Sequence, residues 1–415
     1  MNEFLNHPLL KRDNIHKVIN DVEVSPKTYR GQEILPFNTT DDDVIKVDVQ
    51  KLHGGMTQAV SRGAESPVIE RRGVRQFQFT PACFREKILL SAEDLNSIRK
   101  LGTTGDKEKA AATIAKTAAI LRDRVESRIE WSRWQAIQGS LAVDENGVII
   151  SVDYKFPTAN KPVLTGTNLW SDTTNSDPIN DIMDWIQLFR KTGVEFKKLW
   201  FNQKIEQYLF QNARIVALLN RTVNSGDRAL MSRKTLQNLF QTFIGDVSYE
   251  VYDRNYWLVA EVVSAIASGA SSATVSEVAN FASGDTITLT SFDGQTSEDL
   301  TVDSASGRTI TFTGTTSNAY VIGAEIRAWK PFIPDTKVIV EGTLPIGALG
   351  GRNIGEYISS WAEYGAGTIT NPKPGIFAET QFHQNEDPKY IAVIGGVYGL
   401  PIMYRNNGII VATVA

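Results

Sequence analysis

Cysteine is nearly absent: Cys83 is the single one in 415 residues. That excludes an internal disulfide and fits folding in a reducing cytoplasm. Histidine is almost as scarce, with only His7, His16, His53 and His383. No HExxH spacing and no cysteine cluster accompanies them, so no metal-ligating residue is assigned. His383 with Glu386 and Asp387 resembles a ligand set superficially, but it sits beside Pro388 in a polar loop. A basic excess is missing too: 43 Lys and Arg against 47 Asp and Glu give a net charge of −4. Phosphate contacts need clustered cations, so this is no simple nucleic-acid binder. Long apolar runs are absent. The nearest, Ile391 to Met403, is interrupted by Gly395, Gly396, Gly399 and Pro401, and Met1 to Leu10 has no signal-type apolar stretch. The expectation is a protein folded in the cytoplasm and not inserted in a membrane. The glycines Gly347, Gly350, Gly351 and Gly355 lack both the GxGxxG spacing and the terminal Lys-Ser/Thr of a phosphate loop. Cys83, in an apolar strand context, reads as a small core filler. No catalytic, cofactor-binding or metal residue emerges, and the chain is not expected to be an enzyme.

What is present starts with one long helical pattern. Ile114, Ala118, Leu121, Val125, Ile129, Ser132 and Ala136 recur at spacings of three and four, an apolar stripe on a helix over 106–138. Lys116, Arg122, Arg124, Glu126, Glu130 and Arg133 fall on the other faces. Asp106 suits the N-cap and Gly139 the stop, giving a rod of roughly 50 Å. A chain of this length with 42% hydrophobic and 22% charged residues has room for two or three globular domains.

Before the helix, residues 1–43 form a polar, mixed-charge arm that cannot fold alone and is either a disordered tail or lies on a neighbour. Ile45, Val47 and Val49 then alternate with polar residues, as do Val74, Phe77 and Phe79. They predict a hairpin over 44–80 whose connection, about 20 residues long, far exceeds the usual two to five. Such a loop carries little to bury and finds its partners elsewhere. Arg62, Glu65, Glu70, Arg71 and Arg72 crowd it and are the candidates for contact with another subunit.

After the helix, Asp177-Pro178 opens a helix that Gly193 stops, a second is expected over Gln203–Leu219 and a third over Ser232–Phe243. These mix with strands in an α/β domain. From about Ser264 to Ile326 the composition turns to Ser, Thr, Ala and Gly, with no lysine and only Arg308 among arginines. Thr286–Leu289, Asp299–Val302 and Thr309–Phe312 alternate between turn signals, so 264–326 reads as an inserted all-β module that contributes little to the main contacts of an assembly. At the C-terminus, Asn406-Asn407-Gly408 is the strongest short hairpin signal, joining strands at 402–404 and 409–414.

This order of parts resembles the major capsid proteins of tailed double-stranded DNA phages, the lambda-like capsid protein E family. Met56–Val60, Val68–Arg71, Phe77–Pro81, Phe332–Asp335, Val338–Val340 and Pro401–Ile410 carry the resemblance. It implies an α+β phage major capsid fold with N-arm, long extended β-hairpin loop, spine helix, peripheral and axial domains, plus the inserted small all-β module. It implies these boundaries: arm 1–43, hairpin 44–80, peripheral domain 81–177 with spine 106–138, axial domain 178–388, module 264–326, and C-terminal strands 389–415 returning to the peripheral domain. It further implies self-assembly into hexamers and pentamers of an icosahedral shell around double-stranded DNA, without sequence-specific binding. No cofactor is implied; portal and decoration proteins are potential partners. A separate scaffolding protein is expected, because 43 residues before the hairpin are too few for an internal scaffold. A bacterial encapsulating shell of the same fold, or a carbohydrate-binding or hydrolytic protein, are the alternatives.

Overall fold

The fold is seen in a computed structural model, which describes residues 29–50, 59–61, 65, 74–91, 105–145, 148–222, 232–245, 247–276, 280–343, 353–360, 366–368, 371–383 and 390–415. In chain order come β1 (Phe37–Thr39), β2 (Ile45–Gln50), β3 (Val74–Phe79), β4 (Ala82–Ser91), α1 (Gly105–Ile137), β5 (Ser140–Glu145), β6 (Val148–Asp153) and α2 (Pro178–Thr192). Then follow β7 (Glu195–Phe201), α3 (Gln203–Gln211), α4 (Ala213–Thr222), α5 (Arg233–Phe243), β8 (Tyr249–Val251), β9 (Asn255–Glu261), β10 (Ser272–Thr274), β11 (Thr286–Thr290), β12 (Ser297–Ser306) and β13 (Thr309–Phe312). The last are β14 (Glu325–Pro331), β15 (Lys337–Thr343), β16 (Gly355–Ser359), β17 (Ala366–Thr368), β18 (Asn371–Lys373), β19 (Ile376–His383), β20 (Tyr390–Met403) and β21 (Ile409–Thr413). The chain divides into two compact units, Met1–Arg133 with Leu344–Arg405, and Trp134–Thr343 with Asn406–Ala415.

In the first unit the apolar stripe of α1 packs on a five-stranded sheet of β1, β16, β20, β19 and β4. Ala118 and Leu121 meet Leu90, Ala378, Ile391 and Val393, while Val125 and Ile129 meet Tyr357 and Val397. The run 391–403, interrupted in sequence by glycine and proline, is one continuous strand, β20. Its glycines mark close approaches: a Cβ on Gly396 would lie 2.6 Å from the Phe84 carbonyl oxygen, and one on Gly395 3.1 Å from Leu121 Cβ.

Two faces of α1 depart from the sequence pattern. Glu130 and Arg133, expected outside, are buried, with an ion-pair distance of 3.6 Å. The reason lies in the arm. Glu130 Oε1 accepts the Gly31 N–H at 2.7 Å, Phe37 stacks on Tyr357 at 5.7 Å, and β1 pairs in parallel with β16. Tyr29, Ile34 and Leu35 are buried beside them. The segment 29–39 is therefore neither a free tail nor on a neighbour, but part of its own unit. Burial holds the Arg133 guanidinium below its ordinary pKa, opposed by the Glu130 carboxylate.

In the second unit β21, β15, β7 and β8 form one sheet. Asp177 caps α2 by accepting from the Asn180 N–H, and Gly193 ends it at φ 72°. The helix expected over 203–219 is broken at Asn212. That buried side chain accepts the N–H groups of Arg214 and Ile215, both at 3.1 Å, and donates to Ser176, so it starts a new helix, α4. Trp134 stacks on Tyr252 at 5.2 Å and meets Trp200 edge-on at 5.9 Å. The Asn406-Asn407-Gly408 turn does not close a hairpin. β20 ends in the first unit's sheet, whereas β21 pairs with β15. Asn160 fixes the turn by donating to the Ile409 carbonyl at 2.8 Å.

The alternating segments of the expected module are strands of a six-stranded antiparallel sheet in the order β10-β13-β12-β11-β14-β9, and a Val262–Val275 bridge joins its two ends. Its interior holds Ile287, Leu289, Val302, Ile310, Phe312 and Ile326. The sheet reaches beyond 264–326, because β9 and β14 belong to it. Its entry and exit meet where the Phe332 N–H donates to the Arg254 carbonyl at 3.1 Å.

Two predictions follow from this packing. Glu130→Ala leaves Arg133 buried without its counter-charge and lowers unfolding stability by about 3–5 kcal/mol, whereas Glu130→Leu with Arg133→Met recovers most of it; thermal melts of the three variants test this. Replacing 255–331 by a short Gly-Ser linker leaves the remainder folded. A cut at 264 and 326 instead strips Leu258, Ala260, Ile326 and Ala328 of their cover, and size-exclusion chromatography should show aggregation of that variant only.

Candidate assembly surfaces

β2 and β3 are in register from Ile45 opposite Phe79 to Gln50 opposite Val74, and they pair only with each other among the described strands. A two-stranded ribbon is marginally stable by itself, because half of its main-chain groups face water and only one face can be buried. Ile45, at one end of the ribbon, is buried, while Lys46, Gln76 and Gln78 are exposed. Along the connection, Ala59, Val60, Ser61 and Glu65 are exposed. Of the predicted contact residues, Glu65 is exposed, and Arg62, Glu70, Arg71 and Arg72 lie outside the described residues.

The outward side of β4 is a second surface. Cys83, Arg85, Lys87 and Leu89 alternate along it and are exposed. Cys83 is thus not a core filler: the inward positions of this strand are Ala82, Phe84, Ile88 and Leu90, and a cysteine one residue out of phase faces solvent. Nearby, Arg124 of α1 grips Glu86 with two hydrogen bonds, and the carboxylate raises the guanidinium pKa.

A third surface escaped the sequence pattern. Trp257, Val259 and Trp329 stand exposed on the outer face of the six-stranded sheet, with the two indoles edge to face at 3.9 Å. The run Tyr256–Ala260 carries no polar alternation, so it reads as a buried strand of the α/β domain, and nothing in it signals an edge.

Chemistry has less support. Among the described residues no group of His, Cys, Asp or Glu is placed to hold a metal ion. His383 stacks on Tyr390 at 4.4 Å, and Glu386 and Asp387 lie outside the described residues. Among them, too, no helix is long and apolar enough to cross a membrane.

The fold is a long helix on a mixed sheet, with a ribbon paired only to itself among the described strands. The crystal structure of a protein described as a prophage capsid protein from Escherichia coli CFT073 shares it, with a TM-score of 0.50, 12% identity, and coverage of 98% of this chain and 99% of that one. A phage-related protein from Bordetella bronchiseptica RB50 aligns with a TM-score of 0.45 and 10% identity over 98% of both chains. The capsid of cyanophage P-SCSP1u gives 0.43 and 7% over 93% of this chain and 88% of that one. No curated protein matches by sequence. The family model for phage major capsid protein E matches residues 12–281. The chain belongs to the phage major capsid protein E family, and it is a capsid shell protein and a component of the virion.

The outward strand face gives a direct test. A thiol reagent should label Cys83 fully in the dissociated native chain without denaturant. Slow labelling that speeds up only on unfolding would place Cys83 in the core after all.

Proposed function

We propose that the chain assembles as hexamers and pentamers of the icosahedral head of a tailed phage, enclosing its double-stranded DNA. The observation that carries this reading is the ribbon β2–β3, which has no third strand among the described residues and gains stability by lying over a neighbouring copy. In this reading the first compact unit does the work of a peripheral domain and the second that of an axial domain around the capsomer centre. The six-stranded sheet is an insertion standing on the outer surface. A net charge of −4 suits a wall past which packaged DNA slides, since a basic wall would hold it by counterion release. The role is structural rather than enzymatic. Assembly in the host cytoplasm calls on a separate scaffolding protein and a portal, with a decoration protein as a further partner. Membership of the capsid family speaks against the hydrolytic alternative.

Arg62, Glu65, Glu70, Arg71 and Arg72 bridge to the neighbour in this scheme. Each exposed pair is worth only ~0–1 kcal/mol, but the contact repeats at every subunit. Electron microscopy of the expressed chain should therefore show closed particles. Arg71→Glu with Arg72→Glu should cut particle yield severalfold while leaving the melting temperature of the dissociated chain unchanged, and high salt should imitate part of that loss. Equal yield and equal salt response in the double variant would mean that these side chains only solvate the loop.

A further inference from the structure

Four strands of the six-stranded sheet turn one face away from its interior. Trp257, Val259 and Glu261 of β9 stand opposite Trp329, Arg327 and Glu325 of β14 in the ladder. Thr288 of β11 and Asp299 of β12 continue the row that starts at Val259 and Arg327. Inward positions between them, such as Ala260, Ile326 and Leu289, fill the core, so the alternate side chains point outward. The two indoles are 56% and 51% exposed. Charge on this face is lopsided. Glu261 and Glu325 lie directly opposite one another, a like-charge pair that disfavours the ladder. Arg327 is the one cation among these outward positions, and its Nε already donates to Glu325 at 2.9 Å. Asp299 accepts the Thr288 hydroxyl at 2.7 Å, and among the described residues no cation pairs with Asp299 or Glu261. The bias extends to the whole module. From Asn255 to Pro331 the sequence holds eight Asp and Glu against Arg308, Arg327 and Lys330, a net charge of −5 in a chain whose total is −4.

We propose that this face docks a basic, extended segment of another polypeptide, with one cation over the indoles and a second at the Glu261–Glu325 pair. Indole attracts ammonium and guanidinium groups more strongly than the other aromatic side chains do. At the carboxylate pair a second cation relieves the repulsion that Arg327 alone leaves in place. The two sites lie four residues apart along β9, roughly 14 Å at ~3.4 Å per strand residue. An extended ligand spans that distance with basic side chains four residues apart, which also fall on one of its faces. Arg327 sits midway, so the ligand residues between its two cations are uncharged. The sign of the charge rules against other occupants. Nucleic acid and an anionic membrane are repelled by this module, and a second copy of the face brings the same excess of carboxylates. The inference goes beyond the shell reading, because it adds a place for a second kind of protein.

The test uses the full chain and two short labelled peptides of one composition. Both are threonine and serine with two arginines, placed four residues apart in one peptide and side by side in the other. Fluorescence anisotropy at low salt reads binding. The spaced peptide should bind about fivefold more tightly than the other, and high salt should weaken it. Trp257→Thr with Trp329→Thr should lower its affinity about fivefold, and so should Glu261→Gln with Glu325→Gln. Arg327→Gln removes the cation between the two sites and should tighten binding about threefold, a gain that a misfolded variant cannot imitate. Absence of binding, equal affinity for the two peptides, or no gain in Arg327→Gln overturns the proposal. Binding that is indifferent to loss of both indoles does the same. A dimer of the unaltered chain that the tryptophan changes dissolve would assign the face to a second copy, and this too overturns it. None of these outcomes bears on the shell reading, which stands or falls on closed particles.

Discussion

The carboxylate of Glu130 organises one end of this molecule. It is fully buried on the helix, and it holds the arm by the Gly31 N–H while facing the equally buried Arg133 guanidinium. A charge in such a place is tolerated only when paired and hydrogen-bonded, so the helix, the arm and the Tyr357 ring must all be present together. Gly31 is part of the same constraint, because a Cβ there would lie 2.8 Å from a Glu130 oxygen. The arm in turn lays β1 along β16, and the Tyr357 N–H donates to the Pro36 carbonyl at 2.9 Å. One buried ion pair thus ties the spine helix to a segment about a hundred residues earlier and to a strand over two hundred later.

Among the described strands β2 and β3 pair only with each other. In a monomeric protein such a ribbon would invite aggregation. In the proposed shell a neighbouring copy closes it, and small energies per contact accumulate through repetition. The connection between the two strands is rich in charge, so its contribution to such a contact falls as salt rises.

The six-stranded sheet is built around an interior of its own, from residues 260–328, and its ends come together at Arg254 and Phe332, a hydrogen bond apart.

Much of this was set by the sequence. Period-two alternation determined β2, β3, β11, β12 and β13, since a strand facing a core on one side must alternate. The stripe from Ala118 to Ala136 determined α1, and Asp177 and Gly193 determined both ends of α2 through cap chemistry that is local by nature. The charged loop stays a proposed contact, because four of its five named residues lie outside the described ones. Tertiary structure decided what depends on distant partners. Glu130 and Arg133 look like surface charges until the arm covers them, and Asn212 breaks a helix only because Ser176 stands ready to receive its side chain. Asn406-Asn407-Gly408 has the chemistry of a hairpin, yet its flanking strands found better partners in two different sheets. The exposure of Trp257 and Val259 was invisible for the same reason. Whether a strand is central or peripheral depends on which strands lie beside it, and no residue encodes its own neighbours.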